Sequence, residues 1–472
     1  MNHLNGYHLR PWKNWCNDPN GLIYMEGKYH AFYQHFPDKP VWGPMHWGHA
    51  ISEDSYSWKH EPIAIFPDKN GYAFSGSAIQ DTLNVSGLGE KQGDKPMLLF
   101  YTSHKILDPE NPQDYVEEQS IAYSNDGVTF KPYGKNPILK NQGTKDFRDP
   151  KLFYHQSTAR WIMCLAVFDR IEFYESKNLL NWSYLSSFTS THPTAQGLWE
   201  CSDLFRLEND GESAWVLIVS YGLPTEQGRS ITRYFTGDFD GEKFESNGIA
   251  YDLDFGPDYY AGVTITNCEP ATTIGWAMNW GYADSVPTSG YRGQMSGARE
   301  HFLFRDQAKN LRVGSRPINF PKEYTASISK VEKDEEFSGS VIVYVEPSSE
   351  YSLEFKNKNG ERVTIVRNSE HISIDRSDSG KMDYHSMLND ELYRKRTVPL
   401  LNSEPGSSIV FLDGPVLEVY GDDGSLTFTF LVYPSEPYTE FSIKGSAAEL
   451  HQLHPIEQAP ADEPYMNQTA YE

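Results

Sequence analysis

Cysteine is scarce. There are four in 472 residues, Cys16, Cys164, Cys201 and Cys268, none in a CxxC pair, which excludes a disulfide scaffold and a Cys-built zinc site and leaves the thiols as small packed hydrophobes. Basic side chains are also short, 41 Lys and Arg against 65 Asp and Glu for a net charge of −24. Such a surface repels phosphate backbones and anionic headgroups, so no nucleic acid and no membrane is expected as a partner. No apolar run nears the ~18 residues of a spanning helix, and the opening MNHLNGYHLRPW has no apolar signal core. Location is left between the cytoplasm and a processed secreted chain. GxGxxG, GxxxxGK[ST], HExxH and GxSxG motifs are missing, which removes support for nucleotide, metalloprotease and serine-hydrolase chemistry. His46 and His49 in HWGH would face opposite sides of a strand, so no metal is expected, and no cofactor is implied.

Aromatics are abundant, at 14% of the chain, beside 36 Gly and 29 Pro. Strand-favouring rings with many turn residues point to an all-β protein. One pattern recurs: a small or polar residue, an acid or Asn two later, an aromatic four after that. It reads SEDSYSW (Ser52–Trp58), SNDGVTF (Ser124–Phe130), SKNLLNW (Ser176–Trp182) and DFDGEKF (Asp238–Phe244). Each is read as a hairpin whose turn carries the Asp or Asn and whose outer strand is entered by the aromatic. The spacing of about sixty residues fits four-stranded propeller blades with generous loops. The expected organisation is a five-bladed β-propeller over residues 1–320 as catalytic domain, a linker over 321–336, a two-sheet β-sandwich over 337–450 and a tail over 451–472. The sandwich rests on alternating strands with KNG and DDG hairpin signals. SAAELHQLH, after Gly445, reads as helix-compatible.

Acids stand out in WCNDPNGL (Trp15–Leu22), KDFRDPKLF (Lys145–Phe153) and GLWECSDLF (Gly197–Phe205). Pro after Asp18 cannot donate to a ladder and Asn20-Gly21 favours a turn, so Asp18 is expected at a strand end, and RDP repeats that syntax at Asp149. Singly, an acid before Pro is most often a turn-former. Glu200, flanked by Leu198, Trp199 and Cys201, is expected to be desolvated, which disfavours its charged form and suits a proton donor. A neutral Glu beside an ionised Asp is the pair that glycoside hydrolysis uses, and inner propeller strands would bring such distant acids to one mouth. Trp faces pack against sugar C–H groups. Asn17, Gln34, Ser75 and Arg148 offer hydrogen bonds to hydroxyls, Arg148 as a clamp on two vicinal oxygens. Sugar is the substrate class this inventory fits.

With these strings in order, together with the FYQHFP around Gln34, VWGPMHWGHAIS, FSGS (Phe74–Ser77), MNWGYADSVPT, ISIDRSDSG and EVYGDDGSLTFTFLVYP, the chain resembles the β-fructofuranosidases of glycoside hydrolase family 32: invertases, exo-inulinases and levanases. The resemblance runs over roughly residues 8–445. It implies a five-bladed propeller followed by a sandwich, with Asp18 as nucleophile, Glu200 as general acid/base and Asp149 as transition-state stabiliser. It places Asn17, Gln34, Trp42, Phe74, Ser75, Arg148 and Trp280 around the terminal fructose. The implied activity is retaining, exo-acting hydrolysis of sucrose, short fructo-oligosaccharides, inulin or levan, with the Asp18 and Glu200 carboxyls about 5–5.5 Å apart. Two rivals use the same motifs: a fructosyltransferase, and an inactive carbohydrate-binding protein, against which the presence of all three acids argues. Cys16 stands where the family usually has Met, putting a thiol beside the nucleophile and suggesting sensitivity to mercurials. Linkage preference and oligomeric state are left open, a homodimer through the sandwich included.

Overall fold

The computed structural model describes residues 6–209, 211–222 and 230–458. Five antiparallel sheets follow one another along the first two thirds of the chain. Their first strands, Asn14–Met25, Tyr72–Gln80, Phe147–His155, Leu198–Asn209 and Tyr260–Thr264, pack side by side in a closed ring, the inner wall of a five-bladed propeller. Blade five meets blade one where the short strand Tyr291–Arg292 pairs parallel with Asn14 and Trp15.

The recurring pattern is the turn between the third and fourth strands of blades one to four. Ser52 Oγ accepts from the backbone N–H of Asp54 and Ser55 while Asp54 accepts from Tyr56 and Ser57. Ser124 with Asp126, and Ser176 with Asn178, repeat the bonds, and Asp240 caps Glu242 and Lys243 in blade four. The aromatics that follow, Trp58, Phe130 and Phe244, are buried in the blades. Satisfying turn N–H groups with a local side chain is what makes so short a connection cheap.

All five inner strands carry a β-bulge at one level, two residues facing a single partner residue. The pairs are Asn17-Asp18, Phe74-Ser75, Asp149-Pro150, Cys201-Ser202 and Ala261-Gly262. Asp149, Cys201 and Ala261 take positive φ, at 64°, 47° and 53°, a strained choice for non-glycine residues that here turns side chains toward the axis. Asp18 is thus inside its strand, not at its end: the bulge accommodates Pro19.

Two six-stranded sheets form the sandwich. The segment expected as a linker instead supplies an edge strand to each, Thr325–Val331 and Asp334–Glu336. SAAELHQLH is not helical: Ala448–Leu453 is a strand between Thr325–Val331 and Val341–Val345, with Ala448 and Leu450 buried in the sandwich core and Leu453 buried in a separate cluster with Tyr7, Ile342 and Phe411. Residues 459–472 of the expected tail lie outside the described residues. The domains meet across buried ion pairs: Arg299 bridges Asp254 and Glu418, and Arg376 pairs with Asp258 at 2.7 Å. Residues 6–8 dock here as well, their backbone N–H groups donating to Asp413. His46 and His49 go separate ways, His46 onto the Pro44 carbonyl and His49 into the core stacked on Phe32. Among the described residues no helix is long and apolar enough to cross a membrane.

Candidate active site

The bulges open onto one mouth of the ring, where a cavity of about 420 Å³ is lined by Asn17, Asp18, Gln34, Trp42, Phe74, Ser75, Arg148, Asp149, Glu200 and Trp280. All ten residues singled out in the sequence therefore share one hollow. Asp18 and Asp149 form its floor. Ser75 Oγ donates to Asp18 Oδ2 at 2.7 Å, whereas Asp18 Oδ1 is buried without a hydrogen-bond partner. Asp149 accepts from the Cys201 backbone N–H at 2.9 Å, and its own N–H donates to Thr102. The Cys201 thiol lies 3.6 Å from Asp18 Oδ2 and 3.7 Å from Asp149 Oδ2, which ties the two floor carboxylates together.

Glu200 sits higher on the wall, with a side chain 21% exposed. Trp199, its strand neighbour, points the opposite way into the blade core. The Glu200 carboxyl faces Arg148, whose Nη2 donates to Oε1 at 3.0 Å, and Tyr260, whose hydroxyl donates to Oε2. Desolvation weighs on the two floor aspartates. Burial pushes Asp149 up to about 7, with Arg148 opposing and the charges of Glu200 and Asp18 adding. Burial also raises Asp18, against the hydrogen bond from Ser75.

Arg148 is engaged by protein carboxylates: Nη1 contacts Asp146 at 2.6 Å and both Glu117 oxygens at 3.3 Å, in addition to Nη2 on Glu200. The clamp on sugar oxygens expected of it would compete with these pairs. Trp42 and Trp280 are 44% and 39% exposed, which suits flat platforms at a rim rather than blade packing. Asn17 accepts from Trp15 Nε1, and Gln34 donates to the Ala73 carbonyl. Cys16 is fully buried and burial raises its thiol far up; the thiol that contacts both aspartates is that of Cys201.

Other cavity residues carried no motif. The long hairpin of Met97–Asp108 and Asn111–Ser124 contributes His104, Ile106, Pro112, Gln113, Tyr115 and Glu117. His104 stacks on Phe74 at 4.2 Å and bonds Glu117. Only the length of that hairpin, 12 and 14 residues in its two strands, could have flagged it.

Comparison with known proteins decides the family. Residues 8–314 match the glycosyl hydrolases family 32 N-terminal domain and residues 321–457 the family 32 C-terminal domain.

The chain belongs to glycosyl hydrolase family 32. A levanase of Bacillus subtilis is 37% identical over 498 residues, spanning 98% of this chain and 71% of the relative. An extracellular exo-inulinase of Aspergillus niger is 32% identical over 489 residues, spanning 91% and 89%. The crystal structure of exo-inulinase from Aspergillus awamori is similar across both domains, with a TM-score of 0.86 at 26% identity over 96% of this chain and 99% of that one. As a family 32 member, the chain is a glycoside hydrolase that acts on β-fructosides.

Proposed function

We propose that the protein is a retaining, exo-acting β-fructosidase that removes fructose from the non-reducing end of sucrose, short fructo-oligosaccharides and fructan chains. The observation that carries this reading is the state of Asp18: one oxygen pinned by Ser75, the other buried and uncommitted. A lone pair held in that way is poised for attack on an anomeric carbon. In the first step Glu200 gives its proton to the departing oxygen as the anomeric C–O bond breaks and an Asp18 ester bond forms. In the second, Glu200 takes a proton from water, whose oxygen displaces Asp18. Asp149, fixed by the Cys201 N–H, accepts hydrogen bonds from fructose hydroxyls as positive charge develops on the ring. Trp42 and Trp280 provide apolar faces at the rim. The extracellular exo-inulinase among the relatives supports action outside the cell on polymeric fructan.

Methanol trapping tests the mechanism. Turnover of sucrose in dilute methanol should yield methyl β-fructofuranoside, and on inulin or levan free fructose should be the sole early product. The α-anomer, or a ladder of oligosaccharides, would refute the reading. Oligofructosides at high sucrose with little free fructose would favour transfer as the main activity.

A further inference from the structure

Arg148, Glu200 and Tyr260 occupy one equivalent position on three successive blades. Each is the residue immediately before the bulge of its inner strand. The propeller's symmetry therefore places their side chains next to one another, and they bond in that order: Arg148 to Glu200 Oε1, Tyr260 to Glu200 Oε2. Arg148 belongs to the cavity lining, but Tyr260 does not. It is 1% exposed and reaches Glu200 from behind, out of the blade-five wall.

We propose that Tyr260 is a positioning residue for Glu200: its phenol holds one carboxyl oxygen and stabilises the charge left there once the proton has gone to the leaving group. The inference rests on Glu200 being the acid/base. Three observations support it. The phenol remains a donor, because burial first and the Glu200 charge second keep its pKa far above the ordinary value. Space behind the carboxyl is reserved by Gly222, where a Cβ would lie 2.1 Å from Glu200 Oε2 and 3.4 Å from the Tyr260 hydroxyl. And Arg148, the other donor to this carboxyl among the described residues, contacts the opposite oxygen, so without Tyr260 the carboxyl could turn about its last bond. In the cycle no atom of Tyr260 is transferred. Its O–H···O bond strengthens as Glu200 becomes a carboxylate and weakens as the carboxylate regains a proton from water.

Tyr260→Phe removes one oxygen and keeps the ring. With sucrose, whose leaving group needs protonation, kcat/KM should fall about 10–100-fold; with a nitrophenyl fructofuranoside, whose leaving group does not, the loss should stay within about threefold. The alkaline limb of the sucrose pH profile should move to higher pH, because a donor to the charged carboxyl has gone. Tyr221→Phe, which deletes a buried phenol hydroxyl with no hydrogen-bond partner on the neighbouring strand, should change neither rate nor profile. Gly222→Ala, which crowds Oε2 away from the phenol, should repeat the split between the two substrates and serves if Tyr260→Phe does not fold. Equal losses on both substrates with an unmoved profile, or no loss, would overturn the assignment. A wild-type protein that turns over neither substrate would instead refute the function proposed above.

Discussion

Ser75 and Asp18 lie 57 positions apart, yet the nucleophile role assigned to Asp18 depends on their bond. Asp18→Asn should fold normally and lose at least about 10³-fold in kcat on sucrose, since a carboxamide in its place cannot form the ester; near-wild-type turnover by a pure sample would dismiss the assignment. Ser75→Ala should cost less, about 10-fold, because it removes an orienting donor and not the attacking group. Glu200→Ala should lose about 10²–10⁴-fold on sucrose but far less on a nitrophenyl fructoside, and equal losses would contradict the acid role. At this scale the sequence was readable where a short string names both residue and neighbours. WCNDPNG, RDP and WEC single out Asp18, Asp149 and Glu200. It misled where strand alternation decides surroundings: Trp199 and Leu198 beside Glu200 suggested an apolar pocket, but Trp199 faces the opposite side of the strand. It was silent on Tyr260 and Glu117, whose importance arises only from blade-to-blade adjacency.

Among elements, the inner-strand bulges do most to build the site. Gly76 ends the bulge of blade two, where a Cβ would stand 1.9 Å from the Phe100 carbonyl oxygen. Gly76→Ala should force that strand apart, lowering stability by about 1–3 kcal/mol and displacing Ser75. A thermal midpoint unchanged within a degree would show that the strand can yield. The four turns legible in the sequence are those in which a Ser or Asp caps its own loop. Blade five escaped that search because its turn is capped differently, by Asp306 bonding Asn310. The strand Ala448–Leu453 was missed for a related reason: a short amphipathic run of Ala, Glu and Leu has helix-forming residues, and only its place between two strands selects the extended form.

For the molecule as a whole, pH acts on buried histidines of two kinds. His8 joins the N-terminal segment to the sandwich through Asp413 at 2.8 Å and Glu418 at 3.2 Å. Burial alone would lower it, but the two carboxylates prevail and push it up to about 9. Its folded pKa lies above the unfolded value, so its contribution is complete below pH ~6.5 and is lost as pH rises through about 9. His30 and His60 are lowered by burial to about 4, and His35 and His301 to about 3. Stability linked to them is intact above pH ~6.5 and drains away as pH falls toward those values. Thermal midpoints should peak near neutrality and decline on both sides, and His8→Gln should lower the peak while flattening the alkaline slope. An alkaline slope unaltered in that variant would place the effect elsewhere. ISIDRSDSG and EVYGDDGS, carried in the sequence only as family strings, find their physical reason here: they supply Arg376 and Glu418 to the buried ion pairs between the domains.

Blade one contributes Asp18, blade two Ser75, blade three Asp149, blade four Glu200 and blade five Tyr260. No partial circle of blades holds a working set. During refolding, then, turnover should lag behind the return of β-sheet circular dichroism, and the first released fructose would time the moment at which the last blade locks against the first.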